Sequence, residues 1–509
     1  MSKLSELIER NAGKAFLFVL LLGIVSRIIS FLILPEATYT DAVYHLAIVK
    51  DILQTGLTEE ILQILPMPLY HFILVIFFGL TALPLDMPFL RIMPFIISVL
   101  QIVFAYLVCK ELFPENKTLQ LMGIAFTAAH AVIVIFSAVN YTGPIATLFV
   151  LISFYLLIRI KKSTKVTNFH LCLFVISVFL LSLTKMNATF TIPAFLVGLF
   201  FVLREKNVPM LKISGIIFVI VLLSLLWFAF NFFTTGNALG FSSGDVEAVN
   251  VGVFETNGLF ETNITIEKAV FFYFYFWYFP SLTLFPQMGL SDSLLILTLA
   301  GVFALAILPL GLLILKGIHN SLKEKNLIYL TMLLSILMIL PILIIRGFET
   351  RMLLPVLPLF GLFAVSAYSK LNNVTFRSLA VLSFVFFGMF SFVYVSGSAV
   401  YFSDQHSKVT GLYEFISELP DDVKIISKTE FRRISFYSGK NSRPLKDLSE
   451  STTPSQFISA ATDEGFTHLA VTCIDDYPLS VDLFVSLLED NEITEVYSDE
   501  CTALYQLNK

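Results

Sequence analysis

Apolar runs of about 17–25 residues, the length that crosses a bilayer as a helix, recur through the first 400 of the 509 residues. Unpaired backbone polar groups are too costly in hydrocarbon for loops or open sheets, so a chain built this way is confined to a bundle of helices. Candidate spans are 15–34, 89–111, 119–139, 144–160, 169–184, 188–203, 211–232, 293–315, 327–345, 352–368 and 378–398, eleven in all. Composition agrees. With 57% hydrophobic residues, 14% charged residues and a mean hydropathy of +0.83, too little charge remains to cover a water-soluble surface. The predicted fold class is an α-helical polytopic membrane protein of about eleven transmembrane helices plus juxtamembrane helices, with a small C-terminal α/β soluble domain. The expected domains are a membrane part, 1–400, and a tail, 401–509.

The charges between these runs sort by loop. One set of alternate loops holds seventeen cations: Lys3, Arg10 and Lys14; Lys110 and Lys117; Arg159, Lys161, Lys162 and Lys165; Arg204, Lys206 and Lys212; Lys316, Lys323 and Lys325; Lys370 and Arg377. The other set holds six: Lys50, Arg91, Lys185, Lys268, Arg346 and Arg351. The positive-inside bias places the first set in the cytoplasm. Eleven spans then leave the N-terminus cytoplasmic and the tail extracytoplasmic. The N-terminal segment is charged and then apolar without a small-residue cleavage site, so it reads as an uncleaved first span. Two further apolar stretches, 68–80 and 269–285, are respectively too short to cross and broken by Pro280. Counting either alone as a span reverses every later loop, so both are expected to be interfacial or re-entrant helices. Of the sequons at Asn116, Asn187, Asn263 and Asn373, this topology turns only Asn187 and Asn263 outward.

Residues 401–509 hold nineteen of the 38 acidic and nine of the 33 basic residues, a formal charge of −10. So acidic a tail argues against nucleic acid and against docking on an anionic membrane surface. Its pattern predicts a helix at "LYEFISEL", strands at "VKIISK" and "HLAVTCI", a helix at "VDLFVSLLED" and a closing strand at "CTALYQL". No glycine-rich phosphate loop, metal-spaced Cys/His cluster or nucleophile elbow occurs there. Cys109 and Cys172 fall in apolar helices as packing residues, whereas Cys473 and Cys501 are able to pair in an oxidising compartment.

The candidate chemistry gathers at the ends of spans. "TYTDAVYHL" (38–46) follows the first span directly. A helix from Thr40 sets Asp41, Tyr44 and His45 on one face, at i, i+3 and i+4. A carboxylate at the bilayer boundary is a functional candidate. The competing reading is a helix cap, Thr38-x-x-Asp41, with His45 a satisfied interfacial side chain. "RGFETRMLLPVLPLF" (346–360) places Arg346, Glu349 and Arg351 in a tight outer connection against the charge bias. Arginine suits phosphate because its planar fork donates two hydrogen bonds at once, although an Arg–Glu pair also serves simply to solvate a turn. Lys185, in "SLTKMNATF", is a further outward cation, with snorkelling as its alternative role. Arg91 opens the second span. One carboxylate and several cations at headgroup depth, with no nucleotide motif, suit an anionic partner that is a membrane lipid phosphate.

In these features the chain resembles the GT-C glycosyltransferase superfamily, near the protein O-mannosyltransferases and lipid A aminoarabinose transferases of family 39. The carrying residues are Asp41 in "TDAVYH", "LPMPLYHF" (65–72), Arg91 in "LRIMPFIISVLQIVFAYLVCKELF", "LTKMN" and "TRMLLPVLPLF". The resemblance covers about the first 400 residues. It implies an integral-membrane enzyme that moves a sugar from a polyprenyl-phosphate donor to a glycan, lipid or protein acceptor on the extracytoplasmic side, with inversion and with Asp41 as general base. Tyr44, His45, His71, Arg91, Asn140, Lys185, Glu349, Arg346 and Arg351 are the expected substrate-binding residues. Membrane lipids are expected partners and nucleic acid is not.

Two departures stand out. The second outer loop, "FSAVNYTGPIATLF", has Gly143 and Pro144 where such enzymes often carry a second acid, which speaks against a divalent metal; Asn140 and Tyr141 supply polar contacts only. The family's "H-P-P-L" histidine is replaced in Leu65-Pro66-Met67-Pro68, with His71 nearby. The alternative function is a polytopic transporter or flippase of a lipid-linked sugar. Such a protein is expected to carry charges deep in the membrane, and Arg27 is the one cation well inside a span.

Overall fold

The computed structural model describes residues 2–35, 40–58, 61–62, 65, 67–81, 83–236, 293–345, 350–427, 431–444, 453–472, 486–489 and 492–508. The chain forms two compact units, Met1–Leu32 with Ile48–Ser398, and Ile33–Ala47 with Ala399–Lys509.

The first unit is a helical bundle. Among the described residues eight helices are long and apolar enough to cross a membrane: Ala12–Ile33, Pro88–Leu112, Gly143–Lys162, Met186–Glu205, Met210–Thr234, Leu305–Glu324, Met352–Ser369 and Val374–Glu418. The other three expected spans are apolar and helical but shaped differently. Residues 119–139 form two helices, Lys117–Ala129 and Ala131–Phe136, divided at His130. Asn168–Ser182 is 15 residues long, and Leu327–Ile345 is 19. The 68–80 stretch is the short helix Leu69–Thr81. The 269–285 stretch lies outside the described residues.

Gly143–Lys162 and Met352–Ser369 are the inner members, with 78% and 94% of their apolar windows buried. Gly143–Lys162 packs against Ile92–Leu112 and Asn168–Ser182; Leu357–Ser369 packs against Ser293–Glu324 and Lys117–Ala129. Helices in lipid gain little from burying apolar surface against each other, so close approach at small residues carries the packing. Gly317 shows this: a Cβ there runs into the backbone of Phe363.

The break at His130 has a local cause and a remedy. His130 is extended (φ −60°, ψ 117°), so the carbonyls of the preceding turn lose their helical partners. Arg27 supplies replacements. Its guanidinium donates to Ala128 O, to Thr127 O at 3.3 Å, to Gly23 O at 3.0 Å and to Ser98 Oγ at 2.8 Å. Gly23 lets the first span come close, since a Cβ there meets the Ala128 backbone. The intramembrane cation is thus a cap on an interrupted neighbour.

The cation-rich loops meet in pairs. Glu111 joins Arg159 at 3.0 Å, Lys161 joins Glu205 at 3.7 Å, Arg377 joins Glu9 at 2.5 Å, and Lys370 joins Glu324. Every ion pair among the described residues of this unit lies in that set of loops, at one end of the bundle.

The second unit carries a five-stranded sheet: β1 (Lys424–Ser427), β2 (Asn441–Pro444), β3 (His468–Thr472), β4 (Ile493–Ser498) and β5 (Thr502–Leu507), in the order β2-β1-β3-β5-β4. β1 is parallel to β2 and β3, and β5 is antiparallel to β3 and β4. Side chains alternate between two cores. Ile426, Leu469 and Tyr505 meet Phe457, Ile458 and Ala461 of helix Pro454–Asp463. Ile425, Ala470 and Leu504 meet Val409, Leu412, Tyr413 and Ile416 on the opposite face. The period of two along each strand decides which core a residue joins. The expected helix "LYEFISEL" is the end of one 45-residue helix, Val374–Glu418. β4 escaped sequence reading because its pattern is mostly polar. Cys501 is disulfide-bonded, Cys109 and Cys172 are free, and Cys473 lies outside the described residues.

Candidate functional site

At the opposite end of the bundle from the ion pairs, four segments distant in sequence converge: 67–71, 137–144, 183–191 and 350–356. Leu69 N donates to Leu183 O at 3.0 Å, tying the "PLYH" entry to the "LTK" turn. Tyr70 Oη donates to Asn140 Oδ1 at 2.5 Å. Lys185 Nζ donates to the Tyr141 hydroxyl at 2.5 Å and stands 4.1 Å from that ring's centroid. Asn187 Nδ2 donates to Met352 O at 2.6 Å, and Thr147 Oγ1 donates to Leu354 O at 2.9 Å.

Local sequence explains why these segments are irregular. Lys185 is extended (φ −162°, ψ 137°) between Asn168–Ser182 and the four-residue helix Met186–Thr189. Thr350–Val356 is a 3₁₀ helix containing Pro355, and Pro358 opens the α-helix Leu357–Ser369 that follows. Residues 137–142 connect Ala131–Phe136 to a helix with Pro144 in its first turn. Irregular backbone at membrane depth must satisfy its polar groups within the protein. That need accounts for the buried hydroxyls and amides here: Ser137, Asn140, Thr147 and Thr191 are each fully buried.

The sequence-derived candidates separate clearly. His71, Asn140 and Lys185 fall within this convergence; His71 is buried, its ring 6.1 Å from that of Tyr70. Arg91 is buried beside it. Its Nε donates to Ala138 O at 2.8 Å, its Nη2 to Ser30 O at 3.2 Å and Phe31 O at 2.7 Å, and its guanidinium lies 5.3 Å from the Phe31 ring. Arg91 therefore caps the end of Ala12–Ile33 and fixes the 137–142 loop. Tyr44 and His45 sit in helix Thr40–Thr55 with rings 5.9 Å apart. Asp41 is in the first turn of the same helix, and its side chain lies outside the described residues, as does that of Arg351. Arg346 and Glu349 lie wholly outside them. Tyr70 and Asn187 are the members not expected from the sequence, and Tyr141, expected only as a polar contact, is the partner of Lys185. Tyr70 and Asn187 stand in the motifs that carried the resemblance, which is the signal that was available.

The sequence matches no protein-family profile and no curated protein. Solved structures do match. ArnT from Cupriavidus metallidurans in the apo state aligns with 96% of this chain and 97% of its own, at a TM-score of 0.54 and 12% identity. The same protein bound to undecaprenyl phosphate aligns at 0.53 and 12%, covering 96% and 98%. The archaeal oligosaccharyltransferase AglB from Archaeoglobus fulgidus, with an inhibitory peptide and a dolichol-phosphate, aligns at 0.54 and 13%, covering 97% of this chain and 74% of its own. The chain is a multi-pass membrane protein with the GT-C fold, the architecture that its sequence resemblance implied.

Proposed function

We propose that this protein is a membrane glycosyltransferase that moves a sugar from a polyprenyl-phosphate donor to an acceptor hydroxyl on the extracytoplasmic side. The observation that carries the reading is the end-to-end fold likeness to ArnT, which has been solved with undecaprenyl phosphate. The ammonium of Lys185, held over Tyr141 where four segments meet, supports it as a place for a phosphate.

In this mechanism the acceptor oxygen attacks the anomeric carbon while Asp41 takes its proton. The bond from that carbon to the donor phosphate breaks, and the lipid phosphate leaves with its electron pair. A single displacement inverts the anomeric centre. Base catalysis of this kind contributes about 10²–10⁴ in rate. Lys185, Arg346 and Arg351 stabilise the departing phosphate, and loss of one such contact costs about 10²–10³. Tyr44, His45, His71, Arg91, Asn140 and Glu349 are the remaining substrate-binding candidates, and Arg91 also braces the 137–142 loop. The acceptor is a glycan, a lipid or a protein.

The test is reconstitution of the full chain in liposomes with a panel of radiolabelled polyprenyl-phosphate sugars. Label leaving the lipid supports the reading, and Asp41→Asn is expected to abolish that release with expression unchanged. Label that crosses the bilayer still attached to its lipid identifies a flippase instead.

A further inference from the structure

Asn187 is 3% exposed and sits two residues from Lys185. Its Nδ2 is committed to Met352 O at 2.6 Å, beside Arg351 in the sequence, and this bond fixes which way the amide faces. Rotating the amide by half a turn sets oxygen against oxygen. The other end of the group, Oδ1, is buried and accepts no hydrogen bond among the described residues. A buried amide oxygen without a donor is costly, and more so where water is scarce. A serine in a helix relieves such a debt by turning to the carbonyl one turn back. A pinned asparagine acceptor has no such recourse. Asn187 also belongs to an Asn-Ala-Thr sequon, and its burial removes it as a glycosylation acceptor.

We infer that Asn187 is a sugar-binding residue: its Oδ1 accepts a hydrogen bond from a ring hydroxyl of the transferred sugar, next to the phosphate held by Lys185. The inference rests on the proposed function and deepens it by naming what the donor's sugar must present. A phosphate oxygen is the wrong partner, because it accepts and does not donate at neutral pH, whereas a sugar hydroxyl donates. A site built for one hydroxyl discriminates against the analogue that lacks it, since the amide oxygen is then left unpaired. The 2.6 Å bond to Met352 holds the acceptor in place before substrate arrives, so no ordering cost falls on binding.

The experiment uses the full-length protein in liposomes and a series of deoxy analogues of whichever polyprenyl-phosphate sugar the wild type turns over. One deoxy position is expected to lower kcat/KM by roughly tenfold in the wild type. Asn187→Leu is expected to treat that analogue and the parent sugar alike, with release of the sugar still measurable. Asn187→Ser, too short to span the same gap, serves if the leucine variant does not fold. Wild type that shows no preference among the deoxy donors, or variants that keep the preference, overturn the sugar-binding role while leaving the transferase reading intact. Wild type that releases sugar from no lipid donor overturns both.

Discussion

At the scale of single residues, two polar side chains divide the labour differently from what their positions in the sequence suggest. Arg27 is the deepest cation in the membrane part and looks like a transport charge. It donates instead to the carbonyls left open at the His130 break. Arg27→Met is therefore expected to destabilise the detergent-solubilised protein, at roughly 1–3 kcal/mol for each buried acceptor left unpaired. Arg27→Lys is expected to recover part of this, because an ammonium reaches fewer carbonyls than a guanidinium. Thermal unfolding reads the outcome, and a methionine variant as stable as wild type removes the capping role. Lys185 differs from Arg27 in its partner. Its hydrogen bond goes to a tyrosine hydroxyl, with the ring beneath, so in the proposed mechanism the donor phosphate meets a cation positioned by an aromatic side chain. Lys185→Met is expected to lower kcat/KM by about 10²–10³ without changing thermal stability appreciably.

At the scale of elements, the interruptions matter as much as the helices. Gly143–Lys162 and Ile92–Leu112 are regular and mainly fix distances. The break at His130, the turn at Lys185 and the 3₁₀ segment Thr350–Val356 present polar groups where a continuous helix hides them. In the tail, β3 carries a different liability. His468 is paired in register with Gln506 and Ile425 and is 8% exposed, and burial holds its pKa below the usual 6.5. The unfolded chain protonates this imidazole near pH 6.5 while the folded one resists. The sheet is thus expected to be unaffected above that pH and to lose stability as pH falls below it. Hydrogen exchange of the β1, β3 and β5 amides between pH 7.5 and 5.5 measures this, and His468→Gln is expected to flatten the dependence.

For the whole molecule, the pairing of cationic loops limits the topology. Glu111 with Arg159, Lys161 with Glu205, Lys370 with Glu324 and Arg377 with Glu9 bring together loops that an alternating path puts on one side. By the positive-inside bias we propose that this side is cytoplasmic. Single cysteines introduced by Lys165→Cys and Asp421→Cys test the assignment. In intact cells an impermeant thiol reagent is expected to label position 421 and to spare 165. The reverse pattern inverts the molecule, and labelling of both breaks the count of spans.

Much of this was legible in the linear chain because bilayer physics acts on windows of sequence. Run length sets a span, loop charge sets its direction, and alternation of apolar residues marked β1, β3 and β5. Asn140, Lys185 and His71 attract notice in the sequence because they stand at polar breaks beside greasy runs, and the structure places all three in the same convergence of segments. The sequence could not tell that Arg91 also caps the carbonyls of Ser30 and Phe31 and braces the 137–142 loop. It also could not reveal that Asn187 bonds Met352, that Tyr141 seats Lys185, or that Arg27 reaches Ala128. Those facts depend on partners 44 to 165 residues apart in the chain. A hydrogen bond requires two atoms within about 3 Å, and no local pattern encodes which distant carbonyl will lie that close. Hydropathy settled where the helices run; only their packing decided which polar groups were consumed in holding them together and which remained for chemistry.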